Sequence, residues 1–525
     1  MASAHDRRAF LAKVSEGMLV AGLGGGLAVR MGFVSESARG DDAAPSRLDF
    51  GPREELVDLL ADTPPEGIIR AAVARLESGT TLEDLVAAAA LANARACGGE
   101  DYVGFHTFMA LSPALQMSRE LPPERRALPV LKVLHRNARC IHDPSRAGRG
   151  DTLVPVAAPP GDRPTAASLR DAVRDRDLAR GETLFAGLAD GDPATAWNAL
   201  LPTVHDGVDV HRVVLAHRAY DMLGLVGPGH AGTLLRQSLH YCWKLEEHAA
   251  PRFASLRTTL PRLFDEHRLD DLPSVGRTAD DAWLGNAAQA LATLAPADAA
   301  GQVAEWLAAG FDRQGISDAL AIAANELVLR DAGRPKEWAQ PGKPVGSVHG
   351  DSIGVHACDS ANAWRHMALA ADRHNAAASL LLAAWHLALD WHDSGRPFAD
   401  WEARPSEEVL RGVTASAPDA LLADLDGAIR SGDQERACAL AKRACDLGHP
   451  HRGILDRLLA YAVSEDGSLH AEKYYRTATD EHARARPNHR ARQVVALARV
   501  TASEYGSPAP GVAEACDLLG VVAAG

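Results

Sequence analysis

An acidic, glycine-bearing turn followed by a histidine occurs four times along this chain of 525 residues. The copies read GEDYVGFH ending at His106, VHDGVDVH ending at His211, VHGDSIGVH ending at His356 and SEDGSLH ending at His470. Asp101, Asp206, Asp351 and Glu465 each lie five residues before their histidine. In the first three copies a second histidine follows after 29, 29 and 30 residues, at His135, His240 and His386; the fourth copy has Arg499 in that place. Self-similarity of this kind restricts the chain to one supersecondary unit used repeatedly.

The spacing predicts what that unit is. Two residues on an antiparallel helical hairpin lie level with each other only when the turn falls midway between them. Near those midpoints the sequence reads RELPPERR, LVGPGHAG, AADRHN and RARPNHR, four expected helix breaks. Each pair should therefore face across a hairpin, about four helical turns from the loop. Aromatic residues make up 5% of the chain, and alanine and leucine dominate its 46% hydrophobic share, which favours closely packed helices over sheets. Thr81 reads as the N-cap of a helix that a Gly98–Gly99 stop ends, and residues 424–448 read as a hairpin of the tetratricopeptide-like kind. The expected fold is all-α: repeated antiparallel hairpins, four pseudo-repeats, around a histidine-lined centre. The units are expected at 45–150, 151–250, 251–396 and 397–525, with linkers at 151–165, 333–343 and 397–406.

Residues 1–44 read differently. Arg7 and Arg8 precede Phe10 and Leu11 and a glycine-rich, weakly hydrophobic run from Met18 to Val29. The segment resembles a twin-arginine export signal, and the h-region is too short to span as a stable helix. The protein is expected to be exported in folded form, to the periplasm or outside the cell, and to stay anchored if the leader is not cleaved. No other stretch is long and uncharged enough to cross a bilayer.

The formal net charge of −14 argues against a nucleic-acid partner, because phosphate contacts need a concentrated basic surface. Seven cysteines without a Cys-x-x-Cys pair read as buried apolar fillers. The chain has no phosphate loop, no His-Glu-x-x-His and no dinucleotide fingerprint, so no nucleotide-cofactor residues are assigned. Gly-x-Ser-x-Gly occurs once, as GDSIG with Ser352, but without the buried strand that a nucleophile elbow needs; it reads as the turn of the third unit.

Seven histidines placed by one repeat point to a metal centre: His106, His135, His211, His240, His356, His386 and His470. An imidazole-rich site suits iron, copper or zinc and disfavours magnesium or calcium. Asp101, Asp206, Asp351 and Glu465 are the expected outer partners of the imidazole N–H groups. Asp359, on the same helical face as His356, is an additional candidate ligand. His205 and His349, six and seven residues before His211 and His356, either extend the site or cap their turns, whereas His142, His248 and His392 read as helix C-terminal cations. Tyr220, Tyr474 and Tyr475 either donate protons or pack. An exported metal-dependent oxidoreductase acting on a small molecule is the leading expectation, with no catalytic residue assigned. The rivals are a non-enzymatic metal carrier, which needs exposed and exchangeable sites, and a helical scaffold whose histidines are structural.

The stretch VHACDSANAWRHM resembles the His-Ala-x-x-x-Ala-x-Ala-x-Arg signature of the questin oxidase-like family, carried here by His356, Ala357, Ala361, Ala363 and Arg365. VHRVVLAHRAY (210–220) is similar to that family's Phe-His helix, and FHTFMAL to its early histidine segment. The resemblance implies an all-helical oxidoreductase that inserts oxygen into an aromatic ketone with NADPH as reductant.

Overall fold

Helix starts are set by short polar caps. Thr81 accepts from the Asp84 N–H while Asp84 reaches back to Thr81, a capping box that starts helix α1 (Leu82–Cys97). Gly98, with φ of +52°, ends that helix in the left-handed conformation that glycine adopts without strain. The computed structural model describes residues 47–161, 163–272, 276–392 and 398–522, and among them there are helices and no strand. The fold is all-α.

Twelve of the helices, numbered in chain order, form the units in which the repeated histidines lie. The first copy lies in α1, α2 (Tyr102–Glu120) and α3 (Leu128–Ile141), and the second in α4 (Pro193–Val204), α5 (Val210–Val226) and α6 (Ala231–Arg252). The third occupies α7 (Arg313–Arg330), α8 (Ile353–Ala370) and α9 (Arg373–Trp391), and the fourth α10 (His451–Ser464), α11 (Ala471–Arg484) and α12 (Pro487–Glu504). The breaks between α2 and α3, α5 and α6, α8 and α9, and α11 and α12 fall where the midpoint argument puts them. Each of these pairs packs as a hairpin.

The middle helices meet one another. α2 packs on α5, α5 on α8, α8 on α11, and α11 returns to α2. Their partners α3, α6, α9 and α12 lie outside this ring, and shorter helices at 54–77, 166–189, 281–308 and 418–446 cover them in turn. Charged side chains reach across the units. Lys132 of α3 donates to the carbonyls of Ala462 and Glu465 at the end of α10, at 2.8 and 2.5 Å, and pairs with Glu472 of α11 at 2.6 Å. Both members of that pair are buried, so removing either would strand a charge in the interior.

The leader expected at 1–44 lies outside the described residues. Among the described residues no helix is long and apolar enough to cross a membrane. All seven cysteines are free thiols, and six of them are buried.

Candidate functional site: a ring of four imidazoles

His106 is the fifth residue of α2, His211 the second of α5 and His356 the fourth of α8, while His470 immediately precedes α11. The four helices begin at the same end of their ring, so their first turns carry the imidazoles together. His106 and His211 meet Nε2 to Nε2 at 3.1 Å, and His356 and His470 do so at 3.2 Å. Ring centres are 4.7 Å apart for His106–His211, 5.6 Å for His211–His356, 5.3 Å for His356–His470 and 5.5 Å for His470–His106. The four rings form a closed circuit.

Tautomers follow from the partners. His106 Nδ1 lies 2.7 Å from the Tyr102 carbonyl, which only accepts, so Nδ1 carries the proton and Nε2 turns a lone pair to the centre. His211 Nε2 then donates to it. Tyr102 and Phe105 wall this pair, with ring centres 4.2 and 4.9 Å from His106. His106, His211 and His470 are buried, while His356 is partly exposed beside the half-buried first residues Tyr102, Val210 and Ile353. Burial, then the Lys473 ammonium, holds His106 and His470 well below the usual imidazole range; burial, then His211, does the same for His356. Converging helix N-termini work in the same direction, because their exposed N–H groups disfavour an added positive charge. These three rings are neutral at ordinary pH, the form in which imidazole binds a metal.

The donor chemistry therefore suits a transition metal, and the geometry suits it in part. Ligands about 2.0–2.1 Å from one tetrahedral ion are separated by about 3.3 Å. The two Nε2 pairs match two opposite edges of such a tetrahedron. As placed, however, no group of three or more His, Cys, Asp or Glu among the described residues could hold an ion, and the nitrogens meet two by two.

The second-arm histidines do not join the ring. His240 is clasped by Glu100 at 2.7 Å and Glu182 at 2.9 Å; burial lowers its pKa, and the two carboxylates more than reverse this. His386 Nδ1 accepts from the Trp364 indole at 3.3 Å. His135 lies half-buried against Gly511. These residues sit on the second arms, which form the outer layer of the bundle.

The expected outer acids are engaged elsewhere as well. Asp101 caps α2 at the Gly104 N–H and pairs with Arg146 at 3.1 Å. Asp206 pairs with Arg170 and Arg174, and Asp351 with Arg334 and Lys343. Glu465 accepts from the N–H groups of Gly506 and Ser507. None of the four bonds an imidazole of the ring among the described residues. The five-residue offset is constant, but the histidines fall at different depths in their helices, so the acids face different neighbours.

The acid that does lie beside the ring is Asp209. It caps α5, accepts from the Tyr241 hydroxyl at 2.7 Å and stands 3.7 Å from His211 Nδ1. Asp359 is buried and accepts from Thr477 at 2.7 Å, and burial raises its pKa. Lys473 is buried without a hydrogen-bond or ion-pair partner among the described residues, and burial lowers its pKa to about 8. The sequence did carry a signal for it: the three-residue step from His356 to Asp359 leads, applied to His470, to Lys473.

The remaining candidates are structural. His205 meets Ser379, and burial lowers its pKa to about 3. His349 is held by Ser503 and the Gly342 carbonyl, and Ser352 caps α8. His142 and His392 cap the C-termini of α3 and α9, whereas His248 lies within α6. Tyr220 stacks on Trp197, and Tyr475 bonds Glu120. Tyr474 is buried. A cleft of about 620 Å³ opens at the far end of the helix ring, lined by His217, His366, Leu369 and Arg484. His217 is six residues along α5 from His211, about 9 Å at the helical rise, so this cleft is not the surroundings of the imidazoles.

Comparison of the chain with models of known families, with curated proteins and with solved structures gives no match.

Proposed function

We propose that His106, His211, His356 and His470 hold one transition-metal ion and that the protein is a metal-dependent oxidoreductase acting on a small molecule. The reading is carried by the His106 pose: Nδ1–H is tied to the Tyr102 carbonyl and Nε2 is aimed at three other imidazoles. Metal-bound histidines characteristically donate their other N–H to a carbonyl or carboxylate. Loading needs the two Nε2 pairs to draw onto a common point and the Nε2 proton shared within each pair to move to Nδ1 or leave, since only a bare ring nitrogen binds a metal.

Within this reading the four imidazoles would hold iron, copper or zinc, and oxygen or substrate would bind the metal as an added fifth ligand or in place of one imidazole. The chain does the rest. Tyr102 and Phe105 fix the His106–His211 pair and shield it from water, Asp209 lies beside His211, and Lys473 is a proton-bearing amine beside the ring. Its low pKa suits proton delivery near neutral pH. The three buried imidazoles favour a resident metal over the exchangeable cargo of a carrier. Export in folded form and an aromatic ketone substrate remain part of the proposal, on the N-terminal pattern and on the residues from His356 to Arg365.

Elemental analysis with optical absorption on the same purified sample tests it. One equivalent of iron or copper per chain is the expected result, together with oxygen uptake in a substrate screen. A folded protein that takes up no metal from solution would leave the four histidines as a hydrogen-bonded core.

A further inference from the structure

Cys97 closes α1 and Cys140 lies in the last turn of α3, and their Sγ atoms touch at 3.6 Å. Both side chains are buried. The two positions are 43 residues apart in the chain, and the segment between them holds the whole of α2 with His106. The sulfurs rest against the α2 backbone at Gly104: a Cβ there would stand 2.6 Å from Cys97 Cβ, 2.7 Å from its sulfur and 3.2 Å from the Cys140 sulfur. Glycine at this place is what lets the two thiols meet over the first turn of α2. Beside them Asp101 caps the same turn and takes a weak bond from Cys140 at 3.5 Å. The other five cysteines make no sulfur–sulfur contact among the described residues.

We propose that Cys97 and Cys140 form a disulfide in an oxidising environment and that this bond fixes the start of the helix carrying His106. A bonded pair has its sulfurs about 2.0 Å apart, so the thiols must approach further, by side-chain rotation and a small shift of the two helix ends. The oxidant is a disulfide of the glutathione class. One cysteine attacks it to give a mixed disulfide and release one thiol; the second cysteine displaces the other. In sum, two protein thiols and one oxidant disulfide give one protein disulfide and two small thiols, with the hydrogens passing to the products. Burial shields the finished bond from reductant, and closing a long loop restricts the unfolded chain. The reaction is independent of any metal.

The test incubates the whole protein with oxidised glutathione over a range of temperatures below its Tm, so that fraying helix ends admit the oxidant. Free thiols are then alkylated in denaturant and the peptides mapped by mass spectrometry. The expected product is a Cys97–Cys140 linked peptide about 2 Da lighter than the sum of its reduced parts, with Cys242 and Cys358 alkylated and Tm raised by a few degrees. The link and the Tm gain should vanish in Cys140→Ser and persist in Cys242→Ser. Full alkylation of both cysteines at every temperature would overturn the proposal. So would a mixed disulfide on Cys97 that never resolves onto Cys140, or a link that leaves Tm unchanged.

Discussion

The inner and outer arms of the hairpins carry histidines at the same spacing and use them in opposite ways. On the inner arms, His106, His211, His356 and His470 turn toward one another, and the three with shifted pKa values are kept neutral by burial and by nearby positive charge. On the outer arms each residue turns to a private partner. His240 sits between two carboxylates that favour its charged form, His386 takes the Trp364 indole, and Arg499, which replaces the fourth histidine, donates to the carbonyls of Val328 and Asp331 at the end of α7. One repeated position collects in a centre because the helices bearing it touch; the other scatters because its helices are separated by the whole inner ring. A repeat in sequence thus fixes where along a hairpin a side chain sits, while the position of the helix in the bundle decides whom it meets.

The sharpest way to break this contrast is to remove one member of each inner pair. His211→Ala and His356→Ala should each abolish metal loading by elemental analysis, while His135→Ala and His386→Ala load normally; equal loading in all four variants would erase the distinction between the arms.

The second largest effect concerns Lys473. In the metal-free protein its pKa of about 8 lies below the ordinary lysine value of 10.5, so the fold disfavours its charged form. Stability should then rise as pH increases from about 8 to about 10.5, where the unfolded chain still holds the proton that the folded one has lost. Lys473→Met should raise stability at pH 7 by up to about 3 kcal/mol and flatten that rise, as read by denaturant unfolding.

Acid separates the arms by sign. His106, His356 and His470 have lowered pKa values, so in the metal-free protein they withdraw stability as pH falls below about 6.5, where the unfolded histidines take up protons. His240 has a raised pKa, so its contribution is complete below about 6.5 and is lost as pH rises through its folded value. His240→Gln should therefore cost most in acid, about 1–2 kcal/mol at pH 5.5, and progressively less as pH rises, whereas a deficit that grows with pH would contradict the carboxylate clasp.

The smallest effect is that of Asp209→Ala, which removes the cap of α5 and the acid beside His211. A loss of about 1 kcal/mol in thermal or denaturant unfolding is expected from the cap. The same change at Asp206, whose partners are arginines in the outer layer, should leave the metal stoichiometry untouched.

Much of this was legible in residue order. The four turns near 120, 225, 371 and 484 are helix breaks, the all-α class follows from alanine-rich periodic segments, and Thr81 and Gly98 mark the ends of α1 as written. The inner four histidines were among the seven that the repeat singled out. What could not be read was which of the seven share a centre, since level placement on a hairpin says nothing of azimuth around its axis. The constant offset of Asp101, Asp206, Asp351 and Glu465 misled for a related reason: turns of different shape start the helices at different residues, and a fixed distance along the chain then points in four directions.

Residue order alone set the all-α class and the places where the hairpins turn, because helix breaks and apolar periodicity act locally. The meeting of four imidazoles and the burial of Lys473 beside them came from the closing of α2, α5, α8 and α11 into a ring, and the contact of Cys97 with Cys140 from the packing of α1 and α3 against α2. Those contacts join positions tens to hundreds of residues apart, and only packing brings them within reach.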